Sequence, residues 1–141
     1  MKLTRRYRFA ASHRLHAAAL GEEENRRLYG KCNNPYGHGH DYVLEVTVEG
    51  PPDASGQVAR RAELDSLVQD RVLSRLDRTN LNLDLPEFAE RVPTTENLAS
   101  TIETMLREHW NLPARLARLR ISETERNAFE LEIPRMSKAD E

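Results

Sequence analysis

Three histidines and one cysteine carry the chemistry that can be read from this chain. His38-Gly39-His40 opens an alternating apolar segment, and His13 closes another. Side chains two apart on an extended chain share a side, so His38 and His40 can reach one ion. If the two segments are neighbours, His13 supplies a third nitrogen. Three neutral imidazoles with an open fourth position form a catalytic zinc site. His-x-His is short, and spacing alone equally allows loop histidines bonded to backbone. His16 has the opposite parity from His13 and reads as a structural or surface residue. Cys32 lies six residues before His38. Beside a divalent ion and Lys31 its thiolate is favoured, which makes it a base or nucleophile. The same residue also suits a small buried apolar role, or a fourth ligand that closes a structural zinc site. Asp77 follows a helical stretch, where an exposed carboxylate paired to Arg78 is the ordinary outcome. Glu123 shares the parity of Leu119 and Ile121, so it either finds a donor on the inner side or reaches water at the strand end.

The elements that must position these residues are legible as periodicities. Tyr7, Phe9, Ala11 and His13 alternate with polar or small neighbours, the period of a half-buried strand. Tyr42, Leu44, Val46 and Val48 do the same, and Gly50-Pro51-Pro52-Asp53 stops them. The polar stretch from Gly21 to Arg27 and the Gly-, Asn- and Pro-rich segment Tyr29 to Gly39 read as loop. Leu64, Leu67, Val68, Val72, Leu73 and Leu76 fall at offsets 0, 3, 4, 8, 9 and 12, one helical stripe. After Pro93, Thr94 or Thr95 suits an N-cap for a second helix with Leu98, Ile102, Met105 and Leu106 inside. Ala117, Leu119 and Ile121, then Phe129, Leu131 and Ile133, read as two further strands joined by a turn near Glu125 to Asn127. The order β-β-α-α-β-β implies an α+β fold, a four-stranded antiparallel sheet with two helices on one face. The other face is then expected to be half apolar, and its exposure predicts a homo-oligomer. Residues 1–133 form the expected single domain, and 134–141 a flexible C-terminal tail.

Composition excludes several alternatives. At 141 residues with 38% apolar side chains, the chain has material for one modest core. Its 21 basic and 23 acidic residues leave a net charge of -2, against a nucleic-acid partner bound by phosphate neutralisation. No apolar run is long enough to span a bilayer, so no membrane partner is expected. The first twenty residues lack the apolar core of a secretory leader, and the single cysteine precludes an intrachain disulfide. A cytoplasmic location is the expectation.

Together, Phe9-x-Ala11-x-His13, Tyr29-Gly30-Lys31-Cys32-Asn33-Asn34-Pro35-Tyr36-Gly37-His38-Gly39-His40-Asp41-Tyr42, Leu76-Asp77, Thr94-Thr95-Glu96-Asn97 and Glu123-Thr124 closely resemble the 6-pyruvoyl-tetrahydropterin synthase family. The likeness runs from about Arg5 to Leu131. The Cys-Asn-Asn-Pro loop resembles the pyruvoyl-forming branch more than the 6-carboxytetrahydropterin synthase branch of queuosine biosynthesis. The resemblance implies the tunnelling fold, with subunits oligomerising into trimeric barrels that stack as a homohexamer. It implies Zn2+ on His13, His38 and His40, a cysteine base at Cys32 and a catalytic aspartate at Asp77. Glu123 would anchor the pterin, with Thr94, Thr95 and Glu96 closing the pocket from a neighbouring subunit. The implied reaction is a lyase step in tetrahydrobiopterin biosynthesis. It converts 7,8-dihydroneopterin triphosphate to 6-pyruvoyl-tetrahydropterin, with loss of triphosphate and no external redox agent. The rivals are the carboxy-forming branch, which releases acetaldehyde, and a non-catalytic zinc- and pterin-binding homologue. Two positions depart from the family pattern. Arg78 stands where the family places a histidine, and arginine cannot relay a proton near neutrality. Tyr36 stands where a small polar residue is usual.

Overall fold

The computed structural model describes residues 1–35 and 37–135, so Tyr36 and the expected tail beyond Arg135 lie outside the described residues. Strands β1 (Lys2–His13) and β2 (His38–Glu49) form one long antiparallel ladder, from Lys2 opposite Glu49 to His13 opposite His38. β1 begins earlier than its apolar alternation suggests because an inward position is filled by Arg5. Its guanidinium is paired to Asp65 of the helix α2 (Arg61–Val68), with Nη2 2.6 Å from Oδ2. Tyr7 donates its hydroxyl to the same carboxylate at 2.6 Å. A polar pair thus does work that periodicity assigns to apolar side chains.

The sheet has five strands rather than the expected four, and it is mixed rather than wholly antiparallel. The order is β3-β1-β2-β4-β5, where β3 (Thr79–Asn80) runs parallel to β1, β4 is Arg115–Ser122 and β5 is Ala128–Glu132. A two-residue strand has no periodicity to detect. Ala117 has inward parity in the sequence, but a bulge between Thr47 and Val48 leaves it without a partner on β2 and brings Leu116 opposite Val48.

The helical stripe from Leu64 to Leu76 is split by local geometry. α2 passes into a π-helical turn (Gln69–Leu73) and then α3 (Ser74–Leu76). A short α4 (Leu81–Asp84) follows, capped by the Asn80 side chain, which accepts from the Asn82 and Leu83 amides. α5 (Thr95–Arg107) begins at Thr94, whose hydroxyl accepts from the Asn97 amide. The stripes of α2 and α5 meet the inward residues of the sheet. Leu44, Val46, Leu64, Val72, Leu98, Ile102, Leu119 and Ile121 are all fully buried there. No helix among the described residues is long and apolar enough to cross a membrane.

The segment expected as loop after Gly21 is helical, α1 (Glu22–Tyr29). Its first turn is acidic and its last turn basic, with Glu22–Arg26 and Glu23–Arg27 pairs four residues apart. With no apolar stripe, hydrophobic periodicity is blind to it. Its buried residue is Asn25, whose amide bonds the backbone of Ala17, Leu20 and Gly21.

The helix-free face of the sheet corrects the expectation of a half-apolar surface. It carries an ion-pair ladder instead. Glu45, only 8% exposed, lies 2.9 Å from Arg120 and 3.7 Å from Arg6, and Glu130 bridges Arg118 and Arg120. The hydrogen bond from Arg120 holds the Glu45 carboxyl below the ordinary glutamate value of 4.5. A group whose folded pKa is depressed contributes stability that is present above its unfolded value and lost as pH falls through the folded one. Glu45→Gln is therefore expected to lower unfolding free energy by about 1 kcal/mol at neutral pH. It should also flatten the loss of stability on acidification below the glutamate range. Denaturant titrations across pH on both proteins check this.

Candidate metal centre

Register brings the histidines together. His13 is directly opposite His38, and Ala11 opposite His40, so all three imidazoles stand on the helix-covered side where the β1–β2 ladder ends. Gly37, at φ 84, lets the chain into β2 pass the His13 carbonyl, where an added Cβ would come within 3.3 Å of its oxygen. Cys32 arrives from a short 3-10 turn (Gly30–Asn33) after α1. The turn is tied to the segment after β1. Leu15 donates its amide to the Cys32 carbonyl at 2.6 Å, and Asn33 donates its side-chain amide to the Leu15 carbonyl at 2.7 Å. His16 Nδ1 lies 3.0 Å from the same Asn33 nitrogen, which gives that histidine the structural use its parity suggested.

The donor atoms of His13, Cys32, His40 and Glu123 lie within 4.8 Å of one another. His40 Nε2 is 2.9 Å from Glu123 Oε1, and Cys32 Sγ is 3.7 Å from His40 Nε2. His13 is completely buried, and its Nε2 has no hydrogen-bond partner. The His38 ring packs edge-on against His40 with centroids 4.6 Å apart, beside this group of four rather than within it.

Electrostatics explain why these donors suit a cation. Burial, reinforced by His40 and His38, lowers the His13 pKa to about 4, so the ring is neutral at physiological pH. Burial lowers His40 as well, against the pull of Glu123. Burial and the neighbouring Glu123 carboxylate push the Cys32 thiol up. The protein groups alone therefore do not favour the thiolate that the sequence suggested, and Lys31 is exposed. Imidazoles, a thiol and one carboxylate gathered around a buried His13 Nε2 that makes no hydrogen bond, with Glu123 Oε1 3.7 Å away, fit a zinc-type divalent ion. Such an ion needs deprotonated N, S and O donors and supplies the missing positive charge.

The other sequence-derived site residues divide. Glu123, just past β4, accepts a hydrogen bond from the Thr95 hydroxyl through Oε2 at 3.0 Å. Thr95 reaches Glu123 of its own chain because α5 starts over the end of β4. Thr94 is occupied as the helix cap, and Glu96 is exposed in the first turn of α5. Asp77 is exposed and lies outside the group of four; its Oδ1 accepts from the Ala10 amide at 2.9 Å. Arg78 adopts φ 61 and donates its amide to the Ala10 carbonyl at 2.6 Å. Arg78 lines a cavity of about 430 Å³ with Ser12, His40, Asp41 and Asn80. A second groove of about 710 Å³, on which His40 and Glu123 also lie, is lined by Arg8, Arg120 and Arg126. Sequence reasoning gave Tyr42 no role, yet its hydroxyl lies 2.9 Å from His13 Nδ1. The shared parity of 38, 40 and 42 was the available signal.

Residues 2–134 match the family described as 6-pyruvoyl tetrahydropterin synthase. The chain is 46% identical over 127 residues to the 6-pyruvoyl tetrahydrobiopterin synthase of Poecilia reticulata, covering 89% of this chain and 85% of that one. It is 48% identical over 99 residues to the enzyme of that name from Homo sapiens, covering 70% of this chain and 68% of that one. The solved structure of Caenorhabditis elegans 6-pyruvoyl tetrahydropterin synthase superposes with a TM-score of 0.88 at 36% identity, covering 95% of this chain and 96% of that one. With the register, the buried donors and the fold in agreement, the chain belongs to the 6-pyruvoyl tetrahydropterin synthase family.

Proposed function

We propose that this protein is a zinc-dependent lyase that converts 7,8-dihydroneopterin triphosphate to 6-pyruvoyl-tetrahydropterin with loss of triphosphate. The observation that carries the reading is the β1–β2 register that puts His13, His38 and His40 on one side of the ladder, with Cys32 and Glu123 beside them and the buried His13 Nε2 without a hydrogen bond. His13, His38 and His40 would hold the zinc, which polarises side-chain oxygens and acidifies the adjacent C–H when bound. Cys32 is the base that takes that proton. Its thiol, pushed up by burial, needs the local positive charge to reach a working pKa. Glu123 accepts from the N–H edge of the pterin through Oε1 once His40 no longer donates to it. Thr95 meanwhile keeps Oε2 in place. Asp77 serves beside Arg78, whose guanidinium supplies fixed positive charge for the triphosphate arm. The reaction is internally redox-neutral and calls on no nicotinamide or flavin.

We read the assembly as a homohexamer of two trimers in the cytoplasm. The unpaired outer edge of β5 in the described sheet is the feature that supports strand pairing between copies.

The zinc-loaded protein incubated with dihydroneopterin triphosphate is expected to release triphosphate and yield the pyruvoyl product by mass spectrometry. Acetaldehyde and the carboxy product would instead assign the queuosine-precursor branch. Cys32→Ala is expected to lower kcat by about 10²–10⁴-fold while the protein still binds pterin, the loss ordinary for a removed general base. Chelation of zinc should abolish turnover, and re-addition restore it. Arg78 motivates a second reading, a pterin-binding homologue with weak or altered turnover, because a permanently charged group cannot relay a proton. Arg78→His is expected to raise the rate of triphosphate release, and an unchanged rate and product would count against any relay at this position.

A further inference from the structure

We propose that Tyr42 is a positioning residue for the metal centre: its hydroxyl accepts the Nδ1–H of His13 and holds that ring in the tautomer whose Nε2 lone pair faces the ligand group. The inference rests on the zinc reading above and adds to it a residue outside the donor set. Tyr42 and His13 are both completely buried, and Oη lies 2.9 Å from Nδ1. The hydroxyl is not free to wander. The Tyr42 ring stacks on Phe9, its cross-strand partner, with centroids 5.0 Å apart and planes 14° from parallel. The ring also meets His13 edge-on. The same ladder that sets the register of the histidines therefore sets the position of this oxygen.

A neutral imidazole has one N–H and one lone pair. For Nε2 to act as a ligand the proton must sit on Nδ1, and a buried Nδ1–H needs an acceptor. Among the described residues, the Tyr42 hydroxyl is the partner Nδ1 has. The reverse bond, with the hydroxyl donating to Nδ1, would put a proton on Nε2 and leave no lone pair for an ion. The Tyr42–His13 pair thus chooses between a ligating and a non-ligating ring. The unpartnered, buried Nε2 on the far side is what the ligating choice would use. Partners of this kind on metal-bound histidines fix ring orientation and basicity, and their loss typically weakens metal affinity.

Zinc affinity of the full-length wild-type chain and of Tyr42→Phe, measured by chelator competition, tests the proposal together with nitrogen NMR of labelled histidines in the zinc-loaded wild type. Phenylalanine keeps the ring, the stack on Phe9 and the burial, and removes only the oxygen. Zinc-loaded wild type is expected to show His13 protonated at Nδ1 and metal-bound at Nε2. Tyr42→Phe is expected to bind zinc about 10–100-fold more weakly while retaining cooperative unfolding. Equal zinc affinity in the two proteins overturns the role of Tyr42. Ligation through Nδ1 in the wild type also overturns it, and that result stands even where the variant fails to fold. Wild-type protein that binds no zinc overturns the zinc reading itself, on which this one depends.

Discussion

The pairing register of β1 and β2 is the constraint on which the site depends. His13 faces His38 and Ala11 faces His40 because twelve residues of each strand are locked in one antiparallel ladder. Strand side chains alternate, so a slip of one residue would send every inward group of β2 to the charged face. The cost of such a slip is set far from the histidines. Tyr42, Leu44, Val46 and Val48 would leave the core, and Glu45 would leave its pairs with Arg120 and Arg6. At roughly 1.5–3 kcal/mol for each large apolar side chain moved to water, the core alone makes the alternative register inaccessible. The ion ladder on the other face adds a second penalty of opposite chemistry. Both faces of β2 therefore specify the same placement of His38 and His40.

Burying polar donors beside that ladder has a consequence for the chemistry. A completely buried His13 with an unsatisfied Nε2 is an expensive arrangement in a metal-free protein. Burial keeps the His13 ring neutral and pushes the Cys32 thiol up, while the Glu123 carboxylate meets the His40 ring at 2.9 Å and the Thr95 hydroxyl at 3.0 Å. A divalent ion answers all of these together. Held there, it would give His13 Nε2 a partner, offset the carboxylate charge and bring the Cys32 thiol down.

Much of this was legible in the residues, and the exceptions share a cause. His13, His40, Cys32 and Glu123 could be read because parity on strands and a specific loop motif mark them. The α5 cap at Thr94 was legible as a hydroxyl between a proline and an apolar stripe. Where structure is held by polar contacts, periodicity had nothing to register. Arg5 and Asp65 extend β1 through an ion pair, α1 is held by charge pairs and by the buried amide of Asn25, and β3 is two residues long. The assumption of an apolar outer face failed for the same reason, since Glu45 is buried by arginines rather than by carbon. The bond from Thr95 to Glu123 was not legible either, because no pattern in one sequence tells that the start of α5 lies over the end of β4.

The connection between Asp77 and the site is of a different kind. Ala10 gives its amide to the Asp77 carboxylate and its carbonyl to the Arg78 amide, a side chain and a backbone acting together as a short extension of β3. Arg78 reaches this geometry only in the left-handed region, at a strain of about 1 kcal/mol or more for a non-glycine residue. Two hydrogen bonds to a strand offset that strain. They also fasten the end of the α3 turn to the backbone one residue before Ala11, the partner of His40. A carboxylate has two oxygens, so engaging Oδ1 in this clasp leaves the other outside it, and the clasp does not exclude the role proposed for Asp77. What the clasp fixes is the backbone position of Arg78 at the rim of a cavity that Ser12, Asp41 and Asn80 also line, so the residue standing there carries a permanent charge rather than a titrating one.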